Sequence, residues 1–496
     1  MQAKFWRAVV VVLAVALGGC GPKVADAPAK KEHAEALVKV WCADAGHSAV
    51  FGPRAQAWAY RNSAKLEIAT REDDADVLLV PTARLGRYDP PASLRTVPTA
   101  VAGEASGFQW GGLLGVYQNR LAHWGGDRYA VPLVGEAFVL VYRADVLGET
   151  AFSNAFRQKH QRVPLPIRSW DELADVGQFA TARLGKPSLP PLPSDPVAAV
   201  ATFGQIAACY DRVAATGGGT QVDPAAQDPY FRGLSFYTDA DVLRDRSGER
   251  WEVRIGEPAF GEAFRWFEAT AKCRPAQTGN VLDSLVSGSA VAAVLPIGDL
   301  TKLPRNPTTG AVDAKFGVAA VPGSSAYFNA KRERVRVAGV NRVPVYTGGG
   351  LIGVVRQSAK HPDAAWALLA ELGGPAGSSA SLDTPAVGGG PLRIEHAAES
   401  TAHWQQYGFD PAGTADLGIA VREFVSPGTI NPAIALRTPD VDDINALLAR
   451  SLAGVASGEL TADAGQKQAE ADWRALDAKT PKDARLTHRR KSAGLD

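Results

Sequence analysis

The stretch Thr347-Gly348-Gly349-Gly350-Leu351-Ile352-Gly353-Val354-Val355 sets Gly348, Gly350 and Gly353 at G-x-G-x-x-G spacing. Such glycines cradle a pyrophosphate when a strand precedes them and a helix starts at them, because a helix N-terminus then faces the anion. Here they lead into an apolar, partly β-branched run that reads as a strand. The next helical pattern starts only near His361-Pro362. In a chain with 50 glycines one such match carries little weight, and no dinucleotide site is expected.

Other residue types that do chemistry are scattered. The eight histidines show no metal-ligand spacing, and there is no G-x-S-x-G elbow, H-E-x-x-H or G-x-x-x-x-G-K-[ST] loop. Neither a metal nor a cofactor is expected. Cys42, Cys209 and Cys273 lack C-x-x-C spacing. Trp110, in Gly107-Phe108-Gln109-Trp110-Gly111, offers a flat face for stacking, although a buried structural tryptophan is the commoner case. Glu136 stands between two apolar runs of residues 129–147. A carboxylate isolated in a core is costly, whereas at a cleft wall it stays hydrated and can accept hydrogen bonds. The absence of catalytic motifs moves the expectation from enzyme toward binding protein.

The elements that position these residues alternate between strand and helix. Residues 36–42, 64–69 and 75–81 read as strands, 129–147 as two apolar runs around Gly135-Glu136, and 314–324 as a strand ending in a turn. Ser169 and Glu172 form a capping-box pattern at the head of a helix. Helices fit 258–272, 361–372, 439–455 and 461–476. With 496 residues, there is chain enough for two or three cores. The order suggests two α/β lobes, each built from separated pieces of chain around a mainly parallel sheet. Lysine plus arginine total 53 against 52 aspartate plus glutamate, a net charge of +1 with no basic stripe, so no nucleic-acid partner is expected.

At the N-terminus Lys4 and Arg7 precede the apolar run Ala8–Leu17, then Gly18-Gly19-Cys20. A positive start, a short apolar core and small residues make an export signal. Leu17-Gly18-Gly19-Cys20 resembles the lipobox of bacterial lipoproteins, which implies a lipidated Cys20 and a membrane anchor. Residues 1–19 are thus a signal peptide and 20–35 a tether.

Seven segments, in order over nearly the whole mature chain, resemble the extracellular solute-binding proteins of ATP-binding-cassette importers, the group that includes maltose-binding protein. Among them are "ADVLLVPTARLGRY", "RYAVPLVGEAFVLVYRADVL", "SWDELADV", "LVSGSAVAAVLPIGDL", "KFGVAAVPG" and "TGGGLIGVVRQSAKHPDAAWALLAEL". The seventh is the first strand's end, Val40-Trp41. The resemblance implies a two-lobed periplasmic-binding-protein fold of type II with a hinge and an interlobe cleft. It implies residues 36–133 and 288–352 in the first lobe, 134–287 and 353–478 in the second, and 479–496 as a polar tail. By resemblance, Glu136, Arg84, Asp44 and Asp299 are candidate ligand contacts, with Asp299 falling near where the family often has a stacking tryptophan. Trp110 is an alternative stacking platform. The Gly-rich strand becomes a crossover, where Gly349 either contacts ligand or only turns the chain. Cys209 and Cys273 are implied to form a disulfide, since the resemblance packs their helices together.

The expected function is capture of a small solute, a sugar or oligosaccharide, for delivery to a transmembrane permease. The protein is expected to be a monomer, lipid-anchored outside the cytoplasm, performing no chemistry. Three other readings stay open: a surface lipoprotein enzyme acting on polysaccharide, a binder of a non-sugar solute such as a polyamine or metal ion, and a sensory ligand-binding partner of a signalling receptor.

Overall fold

Val77-Leu78-Leu79-Val80 is buried on both faces, and the reason is its place in a sheet. The computed structural model describes residues 33–211, 236–238, 253–329, 331–342, 346–347, 350–384, 389–396, 411–425 and 433–495, with residues 243, 387, 405 and 409 beside them. The signal segment, Cys20, most of the tether and the candidate contact Gly349 lie outside the described residues. The strand Val77–Pro81 is the middle of five, in the order Lys65–Ile68, Leu37–Cys42, Val77–Pro81, Leu351–Val355, Ala130–Val134. The first three run parallel, and Leu351–Val355 runs antiparallel to both its neighbours. Central strands covered by helices on both faces need near-continuous apolar runs rather than alternation. Helix Ala45–Asn62 supplies one cover, burying Phe51, Ala55, Trp58 and Ala59 at helical spacing, and helix Pro362–Gly373 supplies another.

The chain leaves this first lobe through Gly135-Glu136-Ala137 and enters the second as strand Phe138–Arg143. That strand lies between Ala292–Pro296 and Phe316–Ala319. Its side chains alternate: Phe138 and Leu140 enter one core, Val139 and Val141 another. The first core is closed by helices Trp170–Leu184, Pro196–Asp211, Pro258–Ala269, Val441–Ser457 and Ala462–Asp477. The second is closed in part by helix Pro411–Val425.

Three expectations need correction. The second lobe's three-stranded sheet is antiparallel throughout, not mainly parallel. Alternation of helix and strand along a chain does not encode which way a strand enters its sheet. The division of the chain also differs. Strands Ala292–Pro296 and Phe316–Ala319 pair with Phe138–Arg143, so they belong to the second lobe. Strand Leu351–Val355 and helix Pro362–Gly373 pack into the first-lobe core, as do Val387 and Leu392. Lastly, residues 479–496 are not a polar tail. Lys482–Ser492 is a helix whose Leu486, with Ala493 just beyond, joins the first-lobe core. Arg489 is buried against Asp477 at 2.6 Å, so part of its basic cluster faces inward. No described helix is long and apolar enough to cross a membrane.

Candidate ligand cleft

The lobes meet where backbone approaches backbone too closely for side chains. Gly350 has φ +70°, and a Cβ there would lie 2.7 Å from the Val134 carbonyl oxygen. Gly390 bonds back to the Gly135 carbonyl at 2.8 Å, and a Cβ on Gly390 would sit 2.7 Å from the Ala137 nitrogen. These glycines let separate stretches of chain close around Glu136, whose N–H donates to the Tyr117 hydroxyl at 2.7 Å. Gly353 lies inside a strand, where Leu369 of the covering helix fills the space of a side chain. Gly350 and Gly353 thus serve the crossover and sheet packing, and a strand rather than a helix N-terminus follows Gly350.

A cavity of about 420 Å³ opens beside this crossover and runs into the second lobe. Ala83 of the first lobe, Glu136 and Asp299 line one part of it. Its walls come from the Pro-rich segment 189–193, the head of helix Pro196–Asp211 and strand Ala292–Pro296. Trp170, Leu173, Trp266, Phe267 and Arg274 line its interior end, and the first four have little or no exposed surface. Asn280, Asn445 and Asp195 add polar groups. Asp195 is partly committed, its carboxylate accepting from the Val197 and Ala198 N–H groups at 3.3 Å. Apolar walls with a few convergent polar groups are the usual make-up of a small-molecule site.

Of the residues expected as ligand contacts, the cavity brings together Glu136 and Asp299 and not the others. Glu136 and Asp299, 163 positions apart by their numbering, line the same cavity. Asp299 also accepts from Lys302 at 2.8 Å. Arg84 does not line it. Its Nε lies 3.4 Å from Asp442, which Arg87 also approaches at 3.6 Å, so both arginines bridge the lobes beside the cavity. Asp44 caps helix Ala45–Asn62, accepting from the His47 N–H at 2.8 Å. Trp110 is 3% exposed, donates to the Gln118 carbonyl and lies beneath the Arg128 guanidinium, so it offers no stacking face. Cys209 and Cys273 are not bonded to each other. The Cys209 sulfur points to the Pro322 carbonyl, whereas Cys273 bonds with Thr181, so the two thiols face different neighbours although their elements are close.

Arg274 carried no motif and is the most unusual group of the cavity. It is 7% exposed and stacks over Trp266 and Phe267 at 4.9 and 5.2 Å. No carboxylate is paired with it among the described residues, and burial pushes its guanidinium down to about 10. Cation–π contacts of this kind give about 2 kcal/mol when desolvated. Burying an ion costs several kcal/mol even after relaxation.

Residues 54–408 match the family described as bacterial extracellular solute-binding protein. The match spans well over half of the chain, and the protein belongs to that family. No curated protein matches the chain by sequence. Among solved structures, the chain is similar to the cyclic α-maltosyl-1,6-maltose binding protein of Arthrobacter globiformis, with TM-score 0.61 and 13% identity over 90% of this chain and 100% of that one. It is similar to maltose-bound MalE3 of T. maritima, with TM-score 0.58 and 15% identity over 89% and 100%. An ATP-binding-cassette solute-binding protein of Agrobacterium radiobacter K84 in complex with ribitol gives TM-score 0.59 and 15% identity over 89% and 99%. At these identities the likeness carries the two-lobed fold.

Proposed function

We propose that this protein captures a sugar or polyol in the cavity at the lobe crossover and presents it to a transmembrane permease driven by an ATPase. The observation that carries the reading is the pairing of Glu136 and Asp299 on one cavity whose other walls are largely apolar and aromatic, with a few polar groups among them. Carboxylates accept hydroxyl donors strongly, and the apolar faces suit the C–H faces of a sugar ring. Similar structures hold maltose and ribitol, which supports this class of solute. Residues 1–19 act as an export signal and Cys20 carries the lipid that tethers the protein to a membrane. The protein works as a monomer and without a cofactor.

A thermal-shift screen of the full chain against sugars and polyols tests the reading, since a ligand that binds only the folded state raises its stability by mass action. A rise in melting temperature with at least one sugar or polyol is expected. Two carboxylates on one cavity also suit hydrolysis of a glycosidic bond. Chromatography of an oligosaccharide after hours with the protein separates the two readings: intact sugar supports transport, and cleaved sugar supports the enzyme.

A further inference from the structure

Five arginines are buried among the described residues, and four of them have either a carboxylate partner or four hydrogen-bond acceptors. Arg254 faces Asp211 and Glu257, and Arg489 faces Asp477. Arg437 donates to the carbonyls of Arg120, Leu121, His123 and Ser492. Arg393 donates to the carbonyls of Phe108, Gln109 and Gly373 and to the Ser378 hydroxyl. Arg274 has one carbonyl, Pro190 at 2.9 Å, and one hydroxyl, Thr270 at 3.3 Å. It alone of the five lines the cavity. A guanidinium has five N–H donors, so three remain after these two bonds with the described residues. Trp170, another lining residue, has a buried indole N–H with no acceptor. The cavity lining thus combines a buried cation and a spare indole N–H with the carboxylates of Glu136, Asp195 and Asp299.

We propose that the solute is a carboxylated sugar, a hexuronate or an oligosaccharide ending in one, with its carboxylate held by Arg274 and its hydroxyls by Glu136 and Asp299. The proposal rests on the reading of this cavity as the sugar site. A planar carboxylate matches the guanidinium fork in geometry and cancels its single charge. A phosphate ester carries a charge of about −1.5 to −2 at neutral pH. One guanidinium leaves that charge in excess, in a cavity already lined by the carboxylates of Glu136, Asp195 and Asp299. An uncharged solute would leave the Arg274 charge uncompensated on closure.

Calorimetric titration of the full chain with glucuronate, galacturonate and their oligomers, the matching neutral sugars, the uronate methyl esters and glucose 6-phosphate tests this. A uronate or its oligomer is expected to bind at least about tenfold more tightly than its neutral sugar, its methyl ester and the phosphate. Arg274→Gln is expected to remove that preference, and Arg274→Lys to restore part of it. Equal affinity for acid and methyl ester in the unmodified protein overturns the proposal even if Arg274→Gln does not fold. So does a preference for phosphate, or a preference for the acid that survives in Arg274→Gln. Binding of neutral sugars without preference for acids sinks this inference alone, whereas no binding of any sugar or polyol sinks the parent reading with it.

Discussion

Glu136 is a candidate contact from its place between apolar runs and Arg84 by resemblance alone, and only Glu136 lines the cavity. Glu136 lines the cavity at the crossover, so Glu136→Ala is expected to weaken sugar binding by about tenfold or more, the worth of one charge-assisted hydrogen bond. Its bond to the Tyr117 hydroxyl comes from the backbone N–H and is kept in the variant. Arg84 instead joins a half-exposed ion pair with Asp442, a type worth about 0–1 kcal/mol. Arg84→Ala is therefore expected to change affinity by no more than about fivefold. Titrating both variants with the same sugar checks the contrast. Glu136 was legible because a lone carboxylate between apolar runs needs a reason. Arg84 was misread because its partner is 358 positions away, and Arg274 was missed because its Pro190 partner is 84 positions away. Nothing local to either arginine marks what surrounds it.

At the scale of elements, the sequence patterns carried existence and position but not direction. The capping box at Ser169 and Glu172 forms as expected, since both of its bonds are local. The apolar runs on either side of Gly135-Glu136 become strands Ala130–Val134 and Phe138–Arg143. The antiparallel second sheet and the true owner of Leu351–Val355 were not legible, because pairing is decided by distant strands. The C-terminal helix was hidden by its charge: its basic last turn reads as solvated, yet Arg489 turns inward to Asp477. Truncation after Thr480 strips Asp477 of Arg485 and Arg489 and the first-lobe core of Leu486 and Ala493, which is expected to cost about 3–5 kcal/mol of stability. Urea denaturation of the truncated chain measures it, and an unchanged midpoint would return the segment to the status of a tail. Gly350→Ala is expected to cost stability as well, because its backbone is left-handed and a Cβ meets the Val134 carbonyl. A loss of less than about 1 kcal/mol would mean that the crossover yields to the added atom.

For the whole molecule, two lobes joined by glycine-lined crossovers form a hinge. The interlobe pairs of Arg84 and Arg87 with Asp442 are too exposed to hold it shut. Closure must then draw on the solute, which is how a two-lobed binder couples capture to shape. Small-angle scattering is expected to give a smaller radius of gyration with saturating solute than without. An identical radius in both states would remove the hinge from the account.

The most direct measurement is calorimetric titration of the full chain with a sugar or polyol chosen by thermal shift, with the sugar recovered afterwards. The account expects saturable binding of one molecule per chain, weakened by Glu136→Ala, and the solute recovered unaltered. Binding that ignores Glu136, or a recovered sugar with its glycosidic bond cleaved, would contradict it.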